Sequence, residues 1–170
     1  MTTESVAPET LHAWAICLQA SEEARRRGDR RYGTDHILLA LFEDPSIDDV
    51  LGVSLQQARQ ALESLDQEAL SALGLEFGAD APALPMRAVP KKPRIRDVAQ
   101  KDRLRITPAA KKVLEDAVKP NRRKTQVTAQ QVLAQILILQ SPDPAAALLG
   151  ALGVNTSEVR RRLDAVAPNS

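Results

Sequence analysis

Residues 52–62, GVSLQQARQAL, return 101 positions later as GVNTSEVRRRL at 153–163. Both copies read Gly-Val, then a residue suited to a helix start (Ser54, Asn155), with arginine and leucine at equal offsets beyond it. Ser54 with Gln57, and Asn155 with Glu158, have the spacing of a capping box, in which two side chains satisfy amides left over at a helix start. The letters changed while the local chemistry was kept, so the chain carries an internal repeat.

Working outward, TDHILLALF (34–42) aligns with AQQVLAQIL (129–137), and Thr128 with Gln131 supplies another capping box. Copies about 100 residues apart are too widely spaced for a solenoid and imply two halves of a pseudo-twofold helical bundle. Glycine is sparse, 7 in 170 residues, and apolar residues recur at helical intervals, so the expected class is all-α with almost no strand. A first helix is read over 9–28, with Leu11, Trp14, Leu18 and Ala24 as its inner stripe and Gly28 as its stop. A second starts at Thr34, whose hydroxyl is expected to cap it while Asp35 complements the positive helix end. It stops at EDPS, since Pro45 cannot continue a helix. The segment between Pro45 and Gly52 leaves room for only about a turn and a half of helix. In the second copy Thr107 caps and Pro108 takes the first helical position, Pro120 cuts that helix, and Asp143-Pro144 opens another over 144–151.

The expected fold is therefore two helical copies, at 9–73 and 106–167, packed as a pseudo-twofold bundle. Between them lies a proline-rich basic insertion, 74–105, with prolines at 82, 85, 90 and 93. With 23 basic and 22 acidic residues the net charge is +1, so no global field draws the chain to nucleic acid or an anionic membrane. No apolar run spans a membrane and the N-terminus does not read as a secretion signal, so the expectation is a cytoplasmic protein. Cys17 is the one cysteine, which excludes an internal disulfide, and its apolar neighbours suggest a buried, inert thiol.

Taken in order, ASEEARRRGDRRYGTDHILLALF, GVSLQQAR, ITPAAKKVLEDAV and GVNTSEVR resemble the two-repeat N-terminal domain of Clp-type unfoldases, most closely that of the ClpC group, over 9–66 and 106–166. The resemblance implies a compact, pseudosymmetric all-α domain that normally precedes ATPase modules and recognises substrates or adaptor proteins for degradation. No GxxxxGK phosphate loop occurs here, so the chain resembles a stand-alone recognition module with no cofactor. In the ClpC group the matching motif ends Gly-Thr-Glu-His in both repeats, and its glutamates, with a threonine at the start of each repeat's first helix, bind phosphorylated arginine on tagged substrates. By that resemblance the candidates here are Thr10 and Asp35, and Thr107 and Gln130. Both acidic positions have changed: Asp35 is a methylene shorter and Gln130 is uncharged, which weakens pairing with a guanidinium. The resemblance also implies a surface that binds adaptors and, in some members, cyclic peptide antibiotics, at Ile16, Ile106, Lys111, Leu114 and Glu115. The alternative for those residues is structural, with Leu114 in the core and Lys111 and Glu115 an exposed i,i+4 pair.

Other chemistries fit less well. His12 and His36 are the only histidines, and neither His-x-x-x-His nor Cys-x-x-Cys spacing occurs, so no metal site is expected. A Cys17–His36–Asp35 catalytic set founders on Asp35 and His36 being adjacent on a helix and pointing apart, so no enzyme is expected. The basic stretches 25–31, 91–96 and 121–124 raise nucleic-acid binding as an alternative, but one Trp, one Tyr and two Phe offer scant stacking surface. The leading expectation is a non-catalytic binding accessory whose partner is a Clp unfoldase, an adaptor or a tagged substrate. A decoy for antibiotics aimed at the unfoldase is the runner-up.

Overall fold

The computed structural model of the chain describes residues 10–74, 104–119 and 126–166, so most of the insertion, at 75–103, lies outside the described residues. Eight helices are described. The first repeat holds α1 (Ala13–Arg27), α2 (Thr34–Leu41), α3 (Pro45–Leu51) and α4 (Leu55–Ala72), and the second α5 (Pro108–Val118), α6 (Ala129–Ile136), α7 (Pro144–Ala151) and α8 (Thr156–Val166). Four short strands accompany them: β1 (Thr10–His12), β2 (Arg31–Tyr32), β3 (Arg105–Ile106) and β4 (Gln126–Thr128). The chain is all-α, as the helical recurrence of its apolar residues implies.

The starts of these helices show why the letters could drift between copies. Ser54 and Thr128 each form their full box, accepting from the third amide while Gln57 and Gln131 accept from the cap's own N–H. Asn155 accepts from Ser157 and Glu158 N–H, but the Glu158 carboxylate goes to Arg161 and Arg162 rather than back to the cap. The third helix of each repeat opens on Asp-Pro: Asp44 accepts from Ser46 N–H and Asp143 from Ala145 N–H, both at 2.9 Å. This pair extends the duplication to α3 and α7. With its proline included, α3 runs seven residues, a little longer than the segment between Pro45 and Gly52 suggested.

All eight residues of α2 are buried. A helix buried on every side belongs in the middle of a fold, and α2 packs on α1 and α4 of its own repeat and on α5, α6 and α7 of the other. Ile37, Leu38 and Leu41 there join Val132, Leu133 and Ile136 of α6 and Leu148 and Leu149 of α7 in one core shared by both halves. Each such side chain contributes on the order of 1.5–3 kcal/mol by leaving water.

The repeats are also crossed at their edges. β1 pairs antiparallel with β4, and β2 parallel with β3, so each two-stranded sheet takes one strand from each repeat. The opposite strand senses make the twofold approximate. At the other end the corners Gly52-Val53 and Gly153-Val154-Asn155 line one small cleft of about 240 Å3. Both glycines have left-handed φ, 70° and 66°, which a side chain rarely adopts. Arg162 Nη1 reaches from α8 to the carbonyl oxygen of Val50 in α3 at 3.3 Å.

Two expectations need correction. The inner stripe of α1 is Ile16, Ala20 and Ala24, while Trp14 and Leu18 are 63% and 50% exposed. The two sets lie on opposite faces of one helix, and α2 covers only the first. Thr34 does not cap α2: Gly33 occupies the cap and Thr34 the first helical position, where its hydroxyl donates to Asp143 Oδ1 at 2.7 Å across the repeats.

Candidate functional site

The exposed face of α1 forms one wall of a groove of about 820 Å3 whose other wall is α5. Trp14 and Cys17 come from α1, Leu114 and Val118 from α5, and Tyr32 and Ile106, neighbours in the β2–β3 pair, complete the lining. Lys111, Glu115 and Lys119 stand at the edges. A smaller hollow of about 350 Å3 continues it past Leu18, Ser21 and Leu104, sharing Trp14, Cys17 and Tyr32. Desolvation by the apolar lining, together with the neighbouring Cys17 thiol, pushes the Tyr32 hydroxyl well above the usual tyrosine range. Tyr32 is therefore a neutral donor and acceptor near the groove floor.

Of the five residues that the resemblance assigned to a peptide surface, Ile106, Lys111, Leu114 and Glu115 line this groove together. Ile16 does not: it is 2% exposed on the core side of α1, and Trp14 and Cys17 supply that wall instead. The structural alternative for α5 is met at the same time, since Leu114 is buried and Lys111 lies 3.5 Å from Glu115 in an exposed pair. Cys17 is half-buried and faces the groove, so the expected closed-in thiol is corrected too. Reading Trp14 and Leu18 as a core stripe hid this wall. The signal that could have found it was that Ile16, Ala20 and Ala24 form an equally regular helical stripe.

The phosphoarginine candidates fall at two crossings of the repeats. Thr107 caps α5, accepting from Ala110 N–H at 3.3 Å, and its own N–H donates to the Tyr32 carbonyl oxygen at 3.0 Å. That places it beside Gly33 and Asp35: a methyl group on Gly33 would stand 2.6 Å from Asp35 Oδ1 and 3.9 Å from Thr107 Oγ1. At the other crossing Thr10, described by its backbone, pairs with Thr128, two residues before half-buried Gln130. Each crossing thus combines a threonine from one repeat with the second helical position of the other.

Asp35 is buried and already engaged. Its Oδ1 lies 3.0 Å from His36 Nδ1 and its Oδ2 3.3 Å from Arg27 Nη1. Burial alone would raise its pKa, but the His36 ring and backbone N–H and the Arg27 guanidinium outweigh that and hold the carboxyl below the usual carboxylate range. His36 Nδ1 also lies 3.2 Å from Gly33 N–H, so it accepts from Gly33 when bare and donates to Asp35 when protonated; Nε2 is 3.0 Å from Asp29 Oδ2. Adjacency on a helix therefore does not keep Asp35 and His36 apart, contrary to expectation. Cys17 faces the groove with Tyr32 and is not part of this set. Among the described residues no group of acids, histidines and cysteines could hold a metal ion, and no helix is long and apolar enough to cross a membrane. Of the three basic stretches only 25–31 is described, and there Arg25 pairs with Glu22 at 2.7 Å while Arg27 is held by carboxylates.

The sequence profile of the Clp repeat (R) N-terminal domain matches residues 9–137. The chain belongs to this family. Among solved structures, the N-terminal domain of the caseinolytic-protease-associated chaperone ClpD from Arabidopsis thaliana matches with a TM-score of 0.59, over 92% of this chain and 94% of that one. The identity is 18%, so the likeness is one of fold. No curated protein matches the sequence. The profile ends at 137, ahead of α7 and α8, whereas the internal duplication, with its Asp-Pro and Gly-Val pairs, runs on to the starts of both helices. Domains of this family are binding modules of the Clp system.

Proposed function

We propose that this Clp repeat domain is a non-catalytic docking module that takes an apolar peptide segment of a Clp substrate, adaptor or unfoldase into the groove between α1 and α5. The observation that carries this reading is the exposure of Trp14 and Leu18, one helical turn apart, on a wall continuous with Ile106, Leu114 and Val118. Large apolar side chains left this open favour a partner, because covering them releases ordered water at about 25 cal/mol per Å2. A tryptophan buries roughly 150–250 Å2 in full, so covering the open part of Trp14 is worth about 3 kcal/mol as an upper figure. The groove volume lies within the range of pockets that enclose a few side chains. Lys111, Glu115 and Lys119 add polar edges that orient a peptide without raising affinity much, as Lys111 and Glu115 already neutralise one another.

Trp14 is the chain's single tryptophan, so its fluorescence reports on the groove alone. Titration with a purified Clp unfoldase, and with arrayed peptides from Clp substrates, is expected to shift that emission to the blue. Trp14→Ala with Leu18→Ser, at exposed positions, is expected to weaken binding of labelled peptide by roughly tenfold to a hundredfold while leaving the fold intact. Equal binding by the wild type and the double variant would overturn the assignment.

A further inference from the structure

The parallel pair of β2 and β3, which carries Tyr32 and Ile106 into the groove, sets Arg31 beside Arg105 in register. Successive side chains of a strand point to opposite faces. With Tyr32 buried and Ile106 half-buried toward the groove, the two arginines stand outward, and both are exposed. Paired strands lie about 4.8 Å apart, so two like charges share one face, which is unfavourable unless an anion answers them. Among the described residues none does, and neither arginine has an ion-pair partner. The charges elsewhere around the groove are answered within the chain: Lys111 by Glu115, Lys119 by Asp116, and Arg25, beside the smaller hollow, by Glu22. The open positive charge is thus gathered at the β2–β3 edge, one residue from the groove lining. Two occupants that the chain itself could supply carry the wrong sign. The insertion is basic from Arg87 onward, and a second copy turned about this edge would set arginines against arginines.

We infer that the Arg31–Arg105 pair selects partners whose apolar segment is flanked by acidic residues. The apolar part lies in the α1–α5 groove, and the carboxylates beyond it are received at the β2–β3 edge by two guanidinium forks, whose planar N–H donors match a carboxylate bidentately. The inference rests on the groove reading above and adds to it the sign of the partner's flank. Because one arginine comes from each repeat, the receiving pair exists only where the β2–β3 crossing is formed. Charges at such a rim govern encounter and choice of partner more than affinity.

Fluorescein-labelled peptide pools with a randomised apolar core, flanked on both sides by Glu-Asp-Glu, Gln-Asn-Gln or Lys-Arg-Lys, test this by anisotropy. The acidic pool is expected to bind about fivefold to tenfold more tightly than the neutral one, as two exposed ion pairs allow. Raising salt from about 0.1 M to about 1 M shortens the Debye length from about 10 Å to about 3 Å and is expected to erase that advantage while the neutral pool stays bound. Arg31→Gln with Arg105→Gln is expected to erase it at low salt as well. Acidic and neutral pools bound alike by the wild type, or an acidic advantage that survives in the double glutamine variant, would remove the pair's role and leave the groove reading standing. Failure of the wild type to bind any pool would remove both. Single-stranded oligothymidylate bound as tightly as the acidic pool, and lost in the double variant, would make the edge a nucleic-acid contact and overturn the inference. Should the double variant not fold, the salt series on the wild type decides, and an acidic advantage indifferent to salt refutes the pairing.

Discussion

Asp143 does two things with one oxygen. Its Oδ1 accepts from Ala145 N–H at 2.9 Å, capping α7, and from the Thr34 hydroxyl at 2.7 Å, tying α7 of the second repeat to the first turn of α2 in the first. Asp143→Ala removes the cap, about 1 kcal/mol, and a hydrogen bond to a charged acceptor, about 1.5–3 kcal/mol. It also leaves the Thr34 hydroxyl, 1% exposed, without its acceptor. The expected total is about 3 kcal/mol. Thr34→Val keeps the shape and the cap and loses only the cross-repeat bond, so about 1.5 kcal/mol is expected. Because both substitutions delete the same bond, the double variant should cost less than the sum by about 1.5 kcal/mol. Equilibrium unfolding in urea with unchanged m-values measures all four corners. Additivity within about 0.5 kcal/mol would mean that the bond does not couple the repeats, and a loss of only about 1 kcal/mol for Asp143→Ala would reduce Asp143 to a local cap.

Asp35 has a folded pKa below its ordinary value, so its contribution to stability is present above about pH 4 and lost as pH falls through the folded value; Asp35→Asn should therefore flatten melting temperature against pH in acid. Leu148→Ala, at a site with 0% exposure packed toward α2 and α4, should cost about 2–5 kcal/mol by urea unfolding, and a loss under about 1 kcal/mol would mean the shared core closes over the gap. Alkylation of Cys17 by iodoacetamide should slow when a groove peptide is bound, as followed by mass spectrometry, and an unchanged rate would place the peptide elsewhere.

The fold was legible because the duplicated features are local and chemical. A cap, a glycine with left-handed φ and an apolar run each fix backbone over a few residues, and a copy of the set about 100 positions away implies its partner. The groove was legible in part, for the opposite reason. Ile106, Lys111, Leu114 and Glu115 lie together because α5 starts directly after β3, whereas the α1 wall depends on which face of α1 meets α2, and α1 offers two apolar faces to choose from. Thr34 misled in a similar way: a threonine before an apolar run reads as a cap, but the amide it could serve was already provided for by the turn at Gly33, and its acceptor, Asp143, lies 109 residues away. The set of carboxylates on Arg27 was out of reach for the same reason, since Asp66 joins it from a different helix 39 residues on.

The crossed pairing of β1 with β4 and β2 with β3 bears on what half of this polypeptide could do alone. Severed from its twin, residues 10–74 would display two bare strand edges, an uncovered α2 and a Thr34 hydroxyl lacking its acceptor. The second repeat supplies both missing edges, β4 antiparallel to β1 and β3 parallel to β2. Within one polypeptide the two units thus stand to each other as the subunits of a strand-exchanged dimer would, with the connecting segment entering just ahead of β3.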